Sequence, residues 1–201
     1  SLLLAKILPD SLRLQHMRQL QSEQQDVLTE IFEPDVNLVI WQRQLDTQIQ
    51  RYAAELSQFS ALQLVATPEE LQSLLPQRLP QGPGKDEFIA DLVLMAQMLT
   101  CLMDCSAVGF RLKQLEKAMC PRFHTDHIAV RLLVTYHGAG TEWIPEKQLA
   151  ENSEHIGQID NGHVALLKGT GWENNETGGI WHRSPTGNQP RLLLSLDPVG
   201  E

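Results

Sequence analysis

From residue 107 onward, apolar and polar positions alternate in short runs, each broken by glycine, proline or asparagine. Val108, Phe110 and Leu112 fall on every second residue, the period of a strand with one buried face. The apolar run 128–136 predicts a second strand, ended by the turn His137-Gly138-Ala139-Gly140. Trp143-Ile144-Pro145 reads as a short edge segment. Asn161-Gly162 is a tight-turn signal before a strand over 163–167, and the glycines at 169 and 171 turn the chain again. Residues 180–183 read as a short strand or strand end, 184–190 as a polar loop, and 191–196 as a closing strand. Many short strands with turn signals at such spacing indicate a sandwich or barrel.

Before residue 107 the period changes to that of a helix. Residues 26–32 carry helical spacing and stop before Pro34, whereas 36–41 is a β-branched apolar run and predicts a strand. Leu45, Ile49, Tyr52, Leu56 and Phe59 restore helical spacing over 44–59. Thr67-Pro68-Glu69-Glu70 is a helix start, with Thr67 as the capping residue and a predicted end near Pro76. Residues 80–84, rich in Pro and Gly, form the clearest break. A strong helix from 86 to about 104 follows, its methionines reading as core filler. The expected organisation is a mainly helical region, 1–106, packed on a β-rich metal-binding region, 107–201, as one globular unit. The fold class is α+β.

Composition narrows the function. The 201 residues are 42% hydrophobic and 20% charged, enough for a packed core. The net charge of −9 and the lack of Lys/Arg clusters argue against nucleic acid and against an anionic membrane surface. No apolar run has the length of a membrane span. Ser1 to Lys6 is apolar but lacks a basic leader and a clear cleavage site, so it is not read as a signal peptide. Three cysteines, Cys101, Cys105 and Cys120, fit a reducing cytoplasm.

The chemistry gathers at Cys120-Pro121-Arg122-Phe123-His124-Thr125-Asp126-His127. On an extended backbone His124 and Asp126 point to one side and His127 to the other. An imidazole and a carboxylate side by side are two ligands of a metal site, and His182 is the candidate third. Two histidines and one carboxylate make a facial set with open positions, the set of non-haem Fe(II) oxygenases. Arg191 opens an otherwise apolar strand and calls for an anionic partner. A fourth ligand from Cys120 or His127 would close the site around zinc in a structural role.

In this order, His-x-Asp, distal His, then Arg, the stretch from about Val108 to Asp197 resembles the double-stranded β-helix, or jelly roll, of Fe(II)/2-oxoglutarate-dependent oxygenases. The resemblance implies iron on His124, Asp126 and His182, no catalytic residues beyond these ligands, and 2-oxoglutarate as co-substrate with its far carboxylate on Arg191. Where that family carries a serine two positions after the basic residue, this chain has Leu193. Ser195, Thr135 or Tyr136 could supply the hydroxyl instead. Most of the chain resembles an uncharacterised bacterial family that shares Cys-Pro-Arg-Phe-His-x-Asp, Arg-Leu-Leu-x-Thr-Tyr, Gly-Thr-Glu-Trp, and His-Arg-Ser-Pro followed by Arg-Leu-Leu-Leu. Its association with zinc homeostasis implies the alternative, a non-catalytic zinc-binding accessory protein on the same fold. The resemblance names no substrate.

Overall fold

The computed structural model describes residues 16–56, 59–118 and 120–200. The N-terminal stretch weighed above as a signal peptide lies outside them. In chain order the strands are β1 (Arg18–Ser22), β2 (Val36–Trp41), β3 (Leu62–Ala66), β4 (Ala107–Leu115), β5 (Val130–His137), β6 (Glu142–Ile144), β7 (Gly157–Gln158), β8 (Val164–Lys168), β9 (Trp181–Arg183) and β10 (Arg191–Val199). The helices are α1 (Thr47–Glu55), α2 (Pro68–Arg78) and α3 (Lys85–Met103), with a 3-10 helix at Gln25–Phe32 where helical spacing had been expected.

Strand order defines the architecture. The large sheet runs β1-β2-β8-β5-β10-β4-β3, and the small one β7-β6-β9. A backbone bridge between His124 and His182, with hydrogen bonds of 3.0 and 2.9 Å, adds a fourth member beside β9. From β4 onward the chain alternates between sheets: β4, the His124 segment, β5, then β6 and β7, β8, β9 and β10. Four of these members lie in each sheet, and with this alternating path they make a jelly roll, a double-stranded β-helix. Strand β6 is central in the small sheet, not the edge segment expected from its length, because β7 and β9 hydrogen-bond to its two sides.

Side-chain parity sends the residues of the large sheet two ways. Val108, Phe110 and Leu112 of β4 and Val130, Leu132, Val134 and Tyr136 of β5 face the helices in one core. Leu133, Ala165 and Leu167 face the small sheet in a second core with Trp143, Ile159 and Ile180. In α3, Phe88, Leu92, Met95 and Leu99 are fully buried against the first core, each such side chain contributing about 1.5–3 kcal/mol.

Two elements differ from the sequence expectation in instructive ways. Helix α2 starts as expected, with the Thr67 hydroxyl accepting from the Glu70 amide at 3.1 Å. It continues past Pro76 to Arg78, however. Pro76 sits in the last turn, so its ring removes a single backbone hydrogen bond, and the Leu79 amide still reaches the Leu75 carbonyl at 3.1 Å. Strands β1 and β3 carry no clear alternation. They form as the outermost strands of the large sheet, β1 parallel to β2 and β3 antiparallel to β4.

Candidate metal centre

His124 and His182 are held by the bridge that closes the small sheet, and Asp126 follows two residues later. One ligand atom from each of the three lies within 4.8 Å of the others. The imidazole centroids are 4.5 Å apart. The Asp126 carboxylate stands 3.5 Å from His182 Nε2 and 3.9 Å from His124 Nε2. The Thr170 amide donates to the Asp126 carbonyl at 2.8 Å, pinning this segment to the turn after β8. Gly169 makes that approach possible, since a Cβ there would stand 2.1 Å from the Ile128 carbonyl oxygen.

Hydrogen bonding sets the chemistry of the three side chains. His124 Nδ1 lies 2.9 Å from the Arg122 carbonyl and His182 Nδ1 lies 3.2 Å from the Ile180 carbonyl. A carbonyl accepts only, so each Nδ1 carries a proton, and Nε2 is the nitrogen of each ring left to face a metal. Burial pushes the His182 imidazole below its ordinary pKa, against the opposing pull of Asp126, so it stays neutral. Asp126 Oδ2 is buried and has no hydrogen-bond donor among the described residues. Arg131 Nη1 is 3.1 Å from it, a charge contact without hydrogen-bond geometry. Three convergent acceptors with one orphaned buried oxygen are what a divalent cation completes.

Arg131 links the cluster to a second carboxylate. Its Nε and Nη2 donate to Asp197 at 2.8 and 3.1 Å, and Arg111 Nη2 donates to the same residue at 3.2 Å. A cavity of about 180 Å³ opens beside the histidines, and Arg111, Lys113, Arg131, Arg183, Thr141 and Ser195 are among its walls.

The remaining sequence candidates separate by position. Ser195 lines the cavity, and Thr135 is buried on the same face of the large sheet, paired in register with Leu193. Tyr136 corrects the expectation. Strand parity turns it to the opposite face, where it is fully buried and its hydroxyl donates to Asp91 at 2.6 Å. There it cannot reach a co-substrate at the metal cluster. Arg191 is buried and donates from Nε to the Ala139 carbonyl at 2.6 Å. Among the described residues its Nη1 and Nη2 have no hydrogen-bond partner, and burial lowers its pKa. It does not line the cavity itself, although strand alternation sets it on the face of Leu193 and Ser195, which do. Among the described residues the ligand cluster stops at three. Cys120 is an exposed wall of the cavity outside that cluster, and His127 turns to the Thr170 hydroxyl at 3.4 Å.

The sequence reading missed Arg111, Lys113, Arg183 and Thr141. For the first two the signal was present: in β4 Arg111 and Lys113 flank Leu112 and are out of step with Val108, Phe110 and Leu112, and so face the other side.

The model of the family described as "Protein of unknown function (DUF1826)" matches residues 22–197. The chain belongs to that family. No curated protein matches this DUF1826 chain significantly. Solved structures similar to it include a dioxygenase for auxin oxidation from rice, at 17% identity and a TM-score of 0.46, covering 78% of this chain and 64% of that one. The corresponding Arabidopsis thaliana dioxygenase, in a 2-oxoglutarate binary complex, is 15% identical with a TM-score of 0.48, covering 79% and 74%. A Pseudomonas putida prolyl-4-hydroxylase is 14% identical with a TM-score of 0.47, covering 87% and 98%. The DUF1826 chain thus spans 64% of the length of the rice protein. The jelly-roll assignment rests on its own strand order.

Proposed function

We propose that this DUF1826 chain is a non-haem Fe(II)/2-oxoglutarate oxygenase that hydroxylates a small molecule or protein substrate. The observation that carries the reading is the convergence of His124 Nε2, His182 Nε2 and the Asp126 carboxylate beside a cavity, with a buried arginine two unpartnered nitrogens short of satisfaction. A set of three protein ligands leaves positions for a co-substrate and dioxygen. A closed zinc site requires a fourth protein donor, and Cys120 and His127 lie outside the cluster. Three free cysteines support a reducing compartment, the cytoplasm.

Fe(II) with 2-oxoglutarate and dioxygen supplies oxidative decarboxylation to succinate and CO2, with the second oxygen atom inserted into a substrate C–H bond. The chain's part is to hold and orient. His124 and His182 present their Nε2 atoms, with Nδ1 of each ring held by the Arg122 and Ile180 carbonyls. Asp126 supplies the negative charge. Arg191 pairs the far carboxylate of 2-oxoglutarate with its planar fork, and Ser195 or Thr135 adds a hydroxyl donor. Leu133 and Leu193 give the cavity apolar walls that limit water.

Succinate formation from 2-oxoglutarate tests the reading. With Fe(II) and air the wild-type chain releases succinate, and His182→Ala abolishes it. Arg191→Met weakens 2-oxoglutarate binding by at least about tenfold and leaves metal affinity within about threefold. Because Nη1 and Nη2 are buried without partners, the same variant melts no lower than wild type in the absence of 2-oxoglutarate. Succinate release that survives His182→Ala would overturn the assignment.

A further inference from the structure

The cavity walls contain Arg111, Lys113, Arg131 and Arg183, and among the described residues no carboxylate lines them, in a chain whose net charge is −9. The carboxylates that answer these cations stand behind the walls. Asp197 is shared by Arg111 and Arg131, Asp126 faces Arg131, and Glu142 lies 3.4 Å from Arg183. Lys113 has no ionic partner among the described residues. With buried Arg191 added, the basic side chains exceed the carboxylates by two charges. A divalent metal adds two more, and the 2-oxoglutarate dianion removes two. The site is left short of two negative charges, and Lys113 and Arg111 are where they are missing. These two alternate on β4 and pair in register with Leu193 and Ser195 of β10, so they share the face that looks into the cavity.

We propose that Lys113, with Arg111 and Arg183 at the same cavity wall, binds a second oxyanion, and that the molecule oxidised here is a small acid bearing a carboxylate or a phosphate. The inference rests on the oxygenase reading, because the charge count includes the metal and 2-oxoglutarate. Lys113 suits this task. It is half-buried, has no competing ionic partner among the described residues, and is a compact charge on a flexible stem that adapts to an anion presented from the cavity. Arg111 and Arg183 are each already engaged by one carboxylate, so they contribute field more than new hydrogen bonds.

Calorimetric titration of the full chain loaded with Mn(II) and saturated with 2-oxoglutarate tests the proposal, with methyl phosphate and acetate as probes. One anion binds per chain while 2-oxoglutarate stays bound, and the tighter probe names the acid. Lys113→Met weakens that binding by at least about tenfold, Lys113→Arg keeps it within about threefold, and both leave 2-oxoglutarate affinity within about twofold. An unchanged melting temperature shows that the variants fold. The proposal is overturned if neither probe binds, if the probes displace 2-oxoglutarate, or if Lys113→Met leaves probe affinity unchanged. If the Mn(II)-loaded chain does not take up 2-oxoglutarate, the oxygenase reading fails instead, and probe binding that still depends on Lys113 upholds the anion site.

Discussion

Arg131 is the side chain on which the cluster leans. It stands between Asp126 and Asp197, with all three mostly buried. Without its charge Asp126 loses its arginine, and Asp197 keeps Arg111 alone among the described residues. Arg131→Met should therefore destabilise the metal-free chain by about 2 kcal/mol, less than a fully buried pair because each partner retains some solvent contact. Bound metal neutralises Asp126 and should recover part of the loss. Denaturant melts with and without Mn(II) measure both, and an equal loss in the two conditions would contradict this role. At this scale the sequence was most informative where spacing alone sets direction. His124 and Asp126 are two apart and His127 is adjacent, so parity separated them. Thr135 and Tyr136 were indistinguishable, because apolar residues occupy both faces of β5 and the pattern does not say which face meets the metal. The Arg131–Asp197 contact joins β5 to β10 across 66 residues, and no local pattern announces such a pair.

Tyr136 matters at the scale of elements instead. Its hydroxyl and the Arg43 guanidinium both hold Asp91 of α3, Arg43 at 2.7 and 2.8 Å. This buried network ties the helical layer to the centre of the large sheet, on the side away from the metal cluster. Tyr136→Phe should cost about 1–3 kcal/mol in unfolding free energy, since Asp91 loses a buried donor. Metal affinity should not change. A variant that keeps its stability but loses 2-oxoglutarate binding would reinstate Tyr136 as a ligand of the co-substrate. Helix α3 and strands β2 and β5 were legible because their dense apolar runs are what burial draws on. Strands β1 and β3 were not. The sequence of β1, Arg-Gln-Leu-Gln-Ser, gains its conformation from pairing with β2 and from the Arg18–Asp35 ion pair, which local propensity does not encode.

For the molecule as a whole, charge is unevenly placed. Cations gather in the cavity of an acidic chain, and Lys168 is buried in the helix-facing core. No helix among the described residues is long and apolar enough to cross a membrane. Lys168 donates to the Glu33 carbonyl at 3.0 Å and lies over the Trp172 ring, and burial lowers its pKa to about 8. The folded-state value lies below that of the unfolded chain, near 10.4, so the unfolded chain holds more protons between those values. Stability should rise with pH across that window: the penalty for the buried charge is full below about pH 8 and gone above about 10.5, a span of up to about 3 kcal/mol. Relative to Lys168→Met, wild type should gain stability from about pH 8 to 10.5. A difference that stays flat with pH would show that Lys168 titrates as an exposed lysine.

The proposed function stands on an open three-ligand metal site that takes 2-oxoglutarate. Anaerobic titration of the metal-free chain with Fe(II), with and without 2-oxoglutarate, tests it most directly through the visible charge-transfer band of the chelated complex. The expected result is a band that requires both additions, is absent in His182→Ala, and is weakened in Arg191→Met. No band, together with tight tetrahedral zinc binding that falls in Cys120→Ala or His127→Ala, would contradict it and leave a zinc protein on a jelly-roll fold.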